Sequence, residues 1–164
     1  MNTQSIMIVL TLGFALHASA ATPVPPPPVP YGPAISLDDA RRCVSAAEFE
    51  ATKHQWLMVI TVVDSGGHTV ITERMDNAQY GSVAPALKKA QSAVAFRRPT
   101  KFFEDLIAQG GAALRVLTLP GLLPIDGGSP IIRNGAVIGG VGVSGGSSEQ
   151  DGIVAGICSS LLAK

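Results

Sequence analysis

Glycine is concentrated in one apolar segment near the C-terminus, and this segment constrains the fold more than any other part of the chain. Residues Val137 to Val143 form a β-branched run, typical of a buried strand, that is interrupted by Gly139, Gly140 and Gly142. Glycine in a strand loses side-chain packing and costs backbone entropy. The pattern therefore predicts that another segment or a ligand approaches this backbone closely.

The loop after this strand, Ser144-Gly145-Gly146-Ser147, leads into a predicted helix. Its amides predict an anion site at the helix start, or a tight turn with Ser147 or Ser148 as the N-cap. The triplet of Gly142, Ser144 and Gly146 also fits a nucleophile elbow. No histidine follows Ser144, so acyl-transfer chemistry is not expected.

The N-terminus has the features of an export signal. An apolar run from Ile6 to Leu16 precedes Ala18-Ser19-Ala20 and predicts a signal peptide over residues 1–20. The run is shorter than the about 20 residues that span a bilayer, so we expect a periplasmic or secreted protein without a membrane partner. The proline-rich segment 21–35 predicts an extended spacer, and one domain follows over 36–164.

The charge balance argues against nucleic acid as a partner. The chain has 12 basic and 12 acidic residues and a formal net charge of zero, whereas phosphate binding requires a basic surface. One modest basic cluster contains Lys88, Lys89, Arg97, Arg98 and Lys101. It is either a solvated face or, through Lys89 or Arg98, a site for a ligand carboxylate.

Hydrophobic periodicity and turn signals predict strands grouped in hairpins between helices. The strands fall at 56–64, 68–75, 130–132 and 137–143, and the helices at 36–53, 81–96, 100–109 and 148–162, with Thr100 as an N-cap. Turns at 65–67 and 133–136 close the hairpins. This order predicts the α+β class, with an antiparallel β-sheet flanked by helices.

Several short motifs occur in the order found in one family. They are Asp64-Ser-Gly-Gly, Arg74-Met-Asp, Lys88-Lys-Ala, Arg98-Pro-Thr, Gly127-Gly-Ser-Pro-Ile and Ile138-Gly-Gly-Val-Gly-Val-Ser-Gly-Gly, with Asp151 opening the last helix. From Ser36 to Leu162 the chain resembles the GlcG/HbpS family, whose members are described as haem-binding or haem-degrading. The resemblance implies a profilin-like or roadblock-like sandwich and a homo-oligomer.

The resemblance also implies an exported protein that binds a small molecule, with haem or a related tetrapyrrole as cofactor. His68 is the expected iron ligand because imidazole suits haem iron, whereas His54 is expected to be a helix cap or a surface group. Arg74 and Lys89 would hold ligand carboxylates. The full predicted binding set is Arg74, Lys89, Thr100, Gly127, Gly128, Ser144, Gly145 and Asp151.

Two other functions fit the same residues. One is an oligomeric structural or signalling module without a cofactor, and the other is an enzyme acting on a small carboxylate or hydroxy acid. No catalytic residue is identified, and no zinc-type ligand spacing occurs.

The two cysteines, Cys43 and Cys158, lie in the first and last predicted helices. Export favours their oxidation, and the implied sandwich places these helices side by side, so we expect a disulfide. Two buried thiols that pack as small apolar groups are the alternative.

Overall fold

The computed structural model describes residues 28–163 and contains one four-stranded antiparallel sheet. The strands lie in the order β2-β1-β4-β3. They are β1 (Val59–Asp64), β2 (Thr69–Arg74), β3 (Gly128–Arg133) and β4 (Ala136–Ser144). The two predicted hairpins are therefore present, and the β1–β4 pairing joins them.

Four α-helices accompany the sheet, which confirms the predicted α+β class. They are α1 (Leu37–Lys53), α2 (Val83–Phe96), α3 (Lys101–Gln109) and α4 (Ser148–Leu161). Two 3-10 helices also occur, at Tyr80–Ser82 and Gly111–Thr118.

The alternation of side chains along β1 assigns the helices to two layers. Ile60 and Val62 pack in one core with side chains of α1 and α4, while Val59 and Val63 pack with α2 residues on the other face. This follows from the two-residue period of a strand. The sheet is thus the middle layer of a sandwich, in which β1 and β4 are buried on both faces and the edge strand β2 is partly exposed.

The strand glycines are explained by α2. A Cβ added at Gly142 would overlap the backbone of Ala86 and Ala90, and one at Gly140 would lie 2.6 Å from a methyl of Val94. Of the two alternatives, a close protein segment or a ligand, the structure confirms the segment at these positions. Small residues on both elements let α2 lie directly on β4.

Some predicted boundaries were wrong. β3 begins at Gly128 rather than Pro130, and α2 begins at Val83 because Tyr80–Ser82 forms a 3-10 turn. Thr100 precedes α3 as predicted, but its side chain makes no capping bond. Its Oγ1 instead accepts a hydrogen bond from the Gly128 amide at 2.8 Å, since the start of β3 offers a buried donor there.

Cys43 and Cys158 form a disulfide between α1 and α4, with 4.4 Å between their Cα atoms. This confirms the predicted bridge. The bond closes a sequence separation of 115 residues and fixes the first and last helices to each other.

The segment before α1 lies against the domain. Tyr31 forms a parallel bridge with Val137 of β4, and its hydroxyl donates to the carbonyl of Val94 at 3.0 Å. The predicted signal peptide, 1–20, and the first part of the predicted spacer lie outside the described residues. Within residues 28–163, no helix is both long and apolar enough to span a membrane.

Candidate functional site

Strand register brings several predicted site residues to one end of the sheet, which we call the glycine-loop end. Val59 of β1 pairs with Arg74 of β2 on one side and with Ser144 of β4 on the other. Gly128, at the start of β3, pairs with Gly142. Arg74, Gly128 and Ser144, which are far apart in sequence, therefore lie along one edge of the sandwich.

His68 lies at the opposite end of the sheet. It follows the β1–β2 turn, with its side chain 84% exposed and Nδ1 3.3 Å from the carboxylate of Asp64. Arg74 follows it by six positions along β2, a span of about 20 Å at about 3.3 Å per residue. The structure does not bring His68 together with the other predicted ligands, and its role as an iron ligand stays a prediction.

Lys89 and Asp151 form a buried ion pair beneath the glycine-loop end. Lys89 Nζ lies 2.6 Å from Asp151 Oδ2 and donates a second hydrogen bond to the carbonyl of Val143 at 3.0 Å. The two residues are 2% and 3% exposed. Burial raises the pKa of Asp151, and the hydrogen bond from Lys89 opposes that rise. A ligand carboxylate could pair with Lys89 only by displacing Asp151.

Gly127 and Gly128 are packed against this pair. Gly127 has φ +113°, and a Cβ there would lie 2.7 Å from Asp151 Cβ and 2.8 Å from Lys89 Nζ. A Cβ on Gly128 would lie 2.6 Å from the Thr100 methyl. In this structure both glycines therefore make room for protein groups. No buried side-chain nitrogen or oxygen in residues 28–163 lacks a hydrogen-bond partner.

The amides of the Ser144–Ser147 loop have partners of their own. Gly146 N donates to Asp151 Oδ1, and Ser147 N donates to Gln150 Oε1, both at 3.0 Å. Ser147 is the N-cap of α4 and forms a capping box with Gln150. Of the two predicted alternatives, the structure confirms the N-cap, since the protein's own side chains occupy the position of an anion.

Arg74 is the predicted ligand residue that faces solvent. Its Nη1 donates to the carbonyl of Ala78 at 3.0 Å, and its guanidinium lies 5.0 Å from the ring centroid of Tyr80. These residues line an open cavity of about 600 Å³ together with Asp76, Asn77 and Gln79. A cation that is fixed but accessible suits recognition of an anionic group.

His54 also lies at the glycine-loop end, which the sequence did not predict. It is the C-cap of α1, as expected, and its ring stacks on Trp56 with a centroid distance of 4.5 Å. Nε2 donates to Glu50 Oε1 at 2.9 Å. The hydrogen bond from His54 lowers the pKa of Glu50, which keeps this carboxylate ionised.

Backbone packing connects His54 to the glycine loop. The next residues, Leu57 and Met58, pack against Gly145 and Gly146, where an added Cβ would meet Leu57 O and Met58 Cε. Leu57 is 47% exposed. Leu57 thus lies beside the loop, and the stacked rings of His54 and Trp56 precede it directly in the chain. The signal in the sequence was the spacing Glu50 to His54, which places both on one helical face.

No group of three or more His, Cys, Asp or Glu side chains within the described part of the chain is arranged to hold a metal ion. A single imidazole that completes the coordination of a metal carried by a cofactor does not require such a group.

The family model described as "Haem degrading protein HbpS-like" matches residues 35–157. The chain is 36% identical to protein GlcG of Escherichia coli K12 over 110 residues, which cover 67% of this chain and 81% of the relative.

Two solved structures share the fold. The PduOC:heme complex matches with a TM-score of 0.70 and 32% identity, covering 80% of this chain and 99% of that one. A double mutant of HbpS from Streptomyces reticuli matches with a TM-score of 0.73 and 31% identity, covering 89% and 100%. On sequence and on structure alike, this chain belongs to the HbpS-like family.

Proposed function

We propose that this protein binds haem at the glycine-loop end of the sheet, with His54 as the iron ligand. The observation that carries the proposal is the likeness to a domain solved in complex with haem, which covers 80% of this chain and 99% of that domain. The geometry adds the imidazole of His54, which ends α1 on one face of the sheet, and the accessible guanidinium of Arg74, which lies at the same end on the α2 face.

The residues present fit a haem group in three respects. His54 offers Nδ1, which has no hydrogen-bond partner within residues 28–163, while Glu50 holds Nε2. Carboxylates commonly orient metal-binding imidazoles in this way. Trp56 and Leu57 supply apolar surface for the macrocycle, and the guanidinium of Arg74 supplies positive charge for a propionate.

Bound haem would supply an iron centre whose properties depend on its axial ligand and on the surrounding polarity. The chain's own residues would set both. Glu50 fixes the orientation of the imidazole, and Trp56 shields one face of the ring from water.

Hemin titration of the mature protein, followed through the Soret band, tests the proposal. We expect saturable binding that His54→Ala weakens about tenfold or more, with a shifted band, while Glu50→Gln weakens it to a lesser degree. His68→Ala is the matched control, since it removes the other described imidazole and should leave the titration unchanged. Far-UV circular dichroism checks that each variant folds.

Each other outcome has a definite meaning. A titration without a saturable component would overturn haem binding and favour the module without a cofactor. Loss of binding in His68→Ala alone would move the iron ligand to the opposite end of the sheet. Saturable binding unchanged in both histidine variants would overturn the assignment of His54 and retain haem binding.

We further propose that the protein is exported and self-associates. Export is supported by the Cys43–Cys158 disulfide, because such bonds persist in oxidising compartments. Self-association is supported by the exposed apolar side chains along α4, namely Ile153, Ile157 and Leu161, which are 41–45% exposed. Intact mass of the periplasmic or secreted fraction should show cleavage after Ala20, and light scattering should give at least a dimer.

A further inference from the structure

A second cavity lies between α3 and the 3-10 helix Gly111–Thr118. Its volume is about 530 Å³, within the range of about 300–1,000 Å³ of small-molecule sites. Phe103 and Val116 are its most deeply buried walls, at 4% and 7% exposed. Leu106, Ala113 and Leu119 complete an apolar lining.

The lining has a polar part that consists of Gln109 and Arg115. Within residues 28–163, no carboxylate lies within 4.0 Å of the Arg115 guanidinium. Arg115 is also exposed. The groove therefore combines apolar walls with one accessible cation that lacks a counter-charge.

This cavity is separate from the proposed haem site. The segment after the 3-10 helix is attached to α2, since Ser92 Oγ donates to the carbonyl of Gly121 and accepts from the amide of Leu123. α2 covers the face of the sheet opposite α1, which carries His54. Neither His54 nor His68 lines the groove.

We propose that this groove binds an amphipathic carboxylate, a molecule with an aliphatic body and one terminal carboxylate. The apolar walls would take the aliphatic chain, because removing apolar surface from water is favourable. Arg115 would pair with the carboxylate through two parallel N–H donors, and the Gln109 amide would donate to the same group. A neutral polar ligand would make few contacts with the apolar walls. A purely apolar ligand would form no ion pair with Arg115.

Calorimetric titration with octanoate and with 1-octanol separates the two contributions. We expect saturable octanoate binding to the full mature chain, weaker binding of 1-octanol, and about tenfold or greater loss of octanoate affinity in Arg115→Gln. The affinity for 1-octanol should be equal in both proteins. Arg41→Gln, a change at an exposed arginine of α1, is the matched control and should bind octanoate as the wild type does.

A second variant, Ala113→Trp, fills the groove and should abolish binding of both probes, with circular dichroism showing that it folds. Equal octanoate affinity in Arg115→Gln and wild type would overturn the proposal. So would an Ala113→Trp variant that binds octanoate normally but has a lower mass by light scattering, since the groove would then be a surface between copies.

Hemin distinguishes this site from the haem site. Octanoate should still bind to protein saturated with hemin, and Arg115→Gln should retain the wild-type hemin titration. Displacement of octanoate by hemin, together with loss of hemin binding in Arg115→Gln, would assign the groove to haem and overturn a separate carboxylate site. Failure of hemin binding alone would leave the octanoate result independent.

Discussion

Lys89 and Asp151 are charged side chains that the fold has removed from water. Their hydrogen bonds connect α2, α4 and the end of β4, because Lys89 also bonds the carbonyl of Val143 and Asp151 also bonds the amide of Gly146. A buried ion pair adds little net stability compared with an apolar pair of the same shape. Removal of one partner, in contrast, leaves an unpaired buried charge.

Lys89→Met should therefore lower the free energy of unfolding by about 3–5 kcal/mol, since Asp151 would remain buried without its cation. Urea denaturation measures the change. Lys88→Met is the matched control, because Lys88 is the exposed neighbour on the same helix and its change should stay within about 0.5 kcal/mol. A similar decrease in the free energy of unfolding in both variants would show that the loss does not come from leaving Asp151 unpaired.

The sequence indicated which residues lie together here, but not the direction in which each side chain points. It selected Lys89, Gly127 and Asp151 from family motifs, and the structure places all three together at the glycine-loop end. It did not show that Lys89 turns inward, because a lysine in a helix gives the same local pattern whether it faces solvent or a distant carboxylate 62 positions away. His54 was missed as a ligand candidate because its neighbours at the glycine loop are brought near only by the fold.

At the scale of elements, α2 can lie directly on β4 because glycine residues of the strand face the helix. Gly142 on the strand faces the backbone of Ala86 and Ala90. The packed faces of both elements carry few bulky groups, so the helix approaches the strand closely. Interiors packed at this density tolerate added volume poorly.

Gly142→Ala should lower the free energy of unfolding by about 3 kcal/mol or more, because the new methyl overlaps backbone atoms that cannot move aside. Gly156→Ala in α4 is the matched change at an open position, with no atom within 4 Å of the added Cβ. It should raise stability by about 0.5–1 kcal/mol through helix propensity. Thermal unfolding of both variants checks the contrast, which equal effects would contradict.

The ion pair between Arg133 and Asp39 fastens the β3–β4 hairpin to α1, at 2.8 Å. Hydrogen bonds from Arg133 and Arg42 hold the pKa of Asp39 well below its usual range. A depressed folded-state pKa contributes stability above the unfolded pKa, near 3.9, and loses it as the pH falls.

Arg133→Gln should therefore reduce stability at pH 7 by about 0.5–1 kcal/mol, a modest value because the pair is partly exposed. The difference from wild type should shrink as the pH falls from about 5 towards 2. Urea denaturation at a series of pH values measures it. A difference that stays constant over this interval would exclude ionised Asp39 as its source.

Element types were predictable because they depend on local periodicity and turn chemistry. The Ser65-Gly66-Gly67 turn and the Asn134-Gly135 turn led to both hairpins. The 3-10 helix Gly111–Thr118 was not predicted, since its three-residue turn does not give the 3.6-residue periodicity by which an α-helix is found in a sequence. Without this helix, the groove between it and α3 could not be predicted either.

For the whole molecule, a disulfide adds a covalent connection to the non-covalent packing of the three layers. The Cys43–Cys158 bond joins two helices on one face, with a sequence separation of 115 residues. A loop of this length corresponds to about 4–5 kcal/mol in the chain-entropy treatment. The bond therefore contributes a large part of the stability expected for one domain.

The double variant Cys43→Ala/Cys158→Ala should lower the melting temperature by about 8–20 °C, since about 1 kcal/mol corresponds to 2–4 °C at this size. Differential scanning calorimetry measures the shift, with reduced wild type as the matched sample. A melting temperature within 2–3 °C of wild type would show that the denatured state gains little freedom when the bridge is absent.

The segment from Pro30 to Ile35 pairs with the start of β4 and should slow the exchange of its backbone amide protons with solvent. Val137 N donates to the carbonyl of Pro30, and Val137 O accepts from the amide of Gly32. Pairing with β1 does not extend past Asp64, opposite Gly139, so within residues 28–163 it is this segment that bonds the outer side of Val137. Deuterium uptake at Val137 should be slow in the full chain and fast in one that starts at Ile35, which identifies these few residues as the first point of local opening.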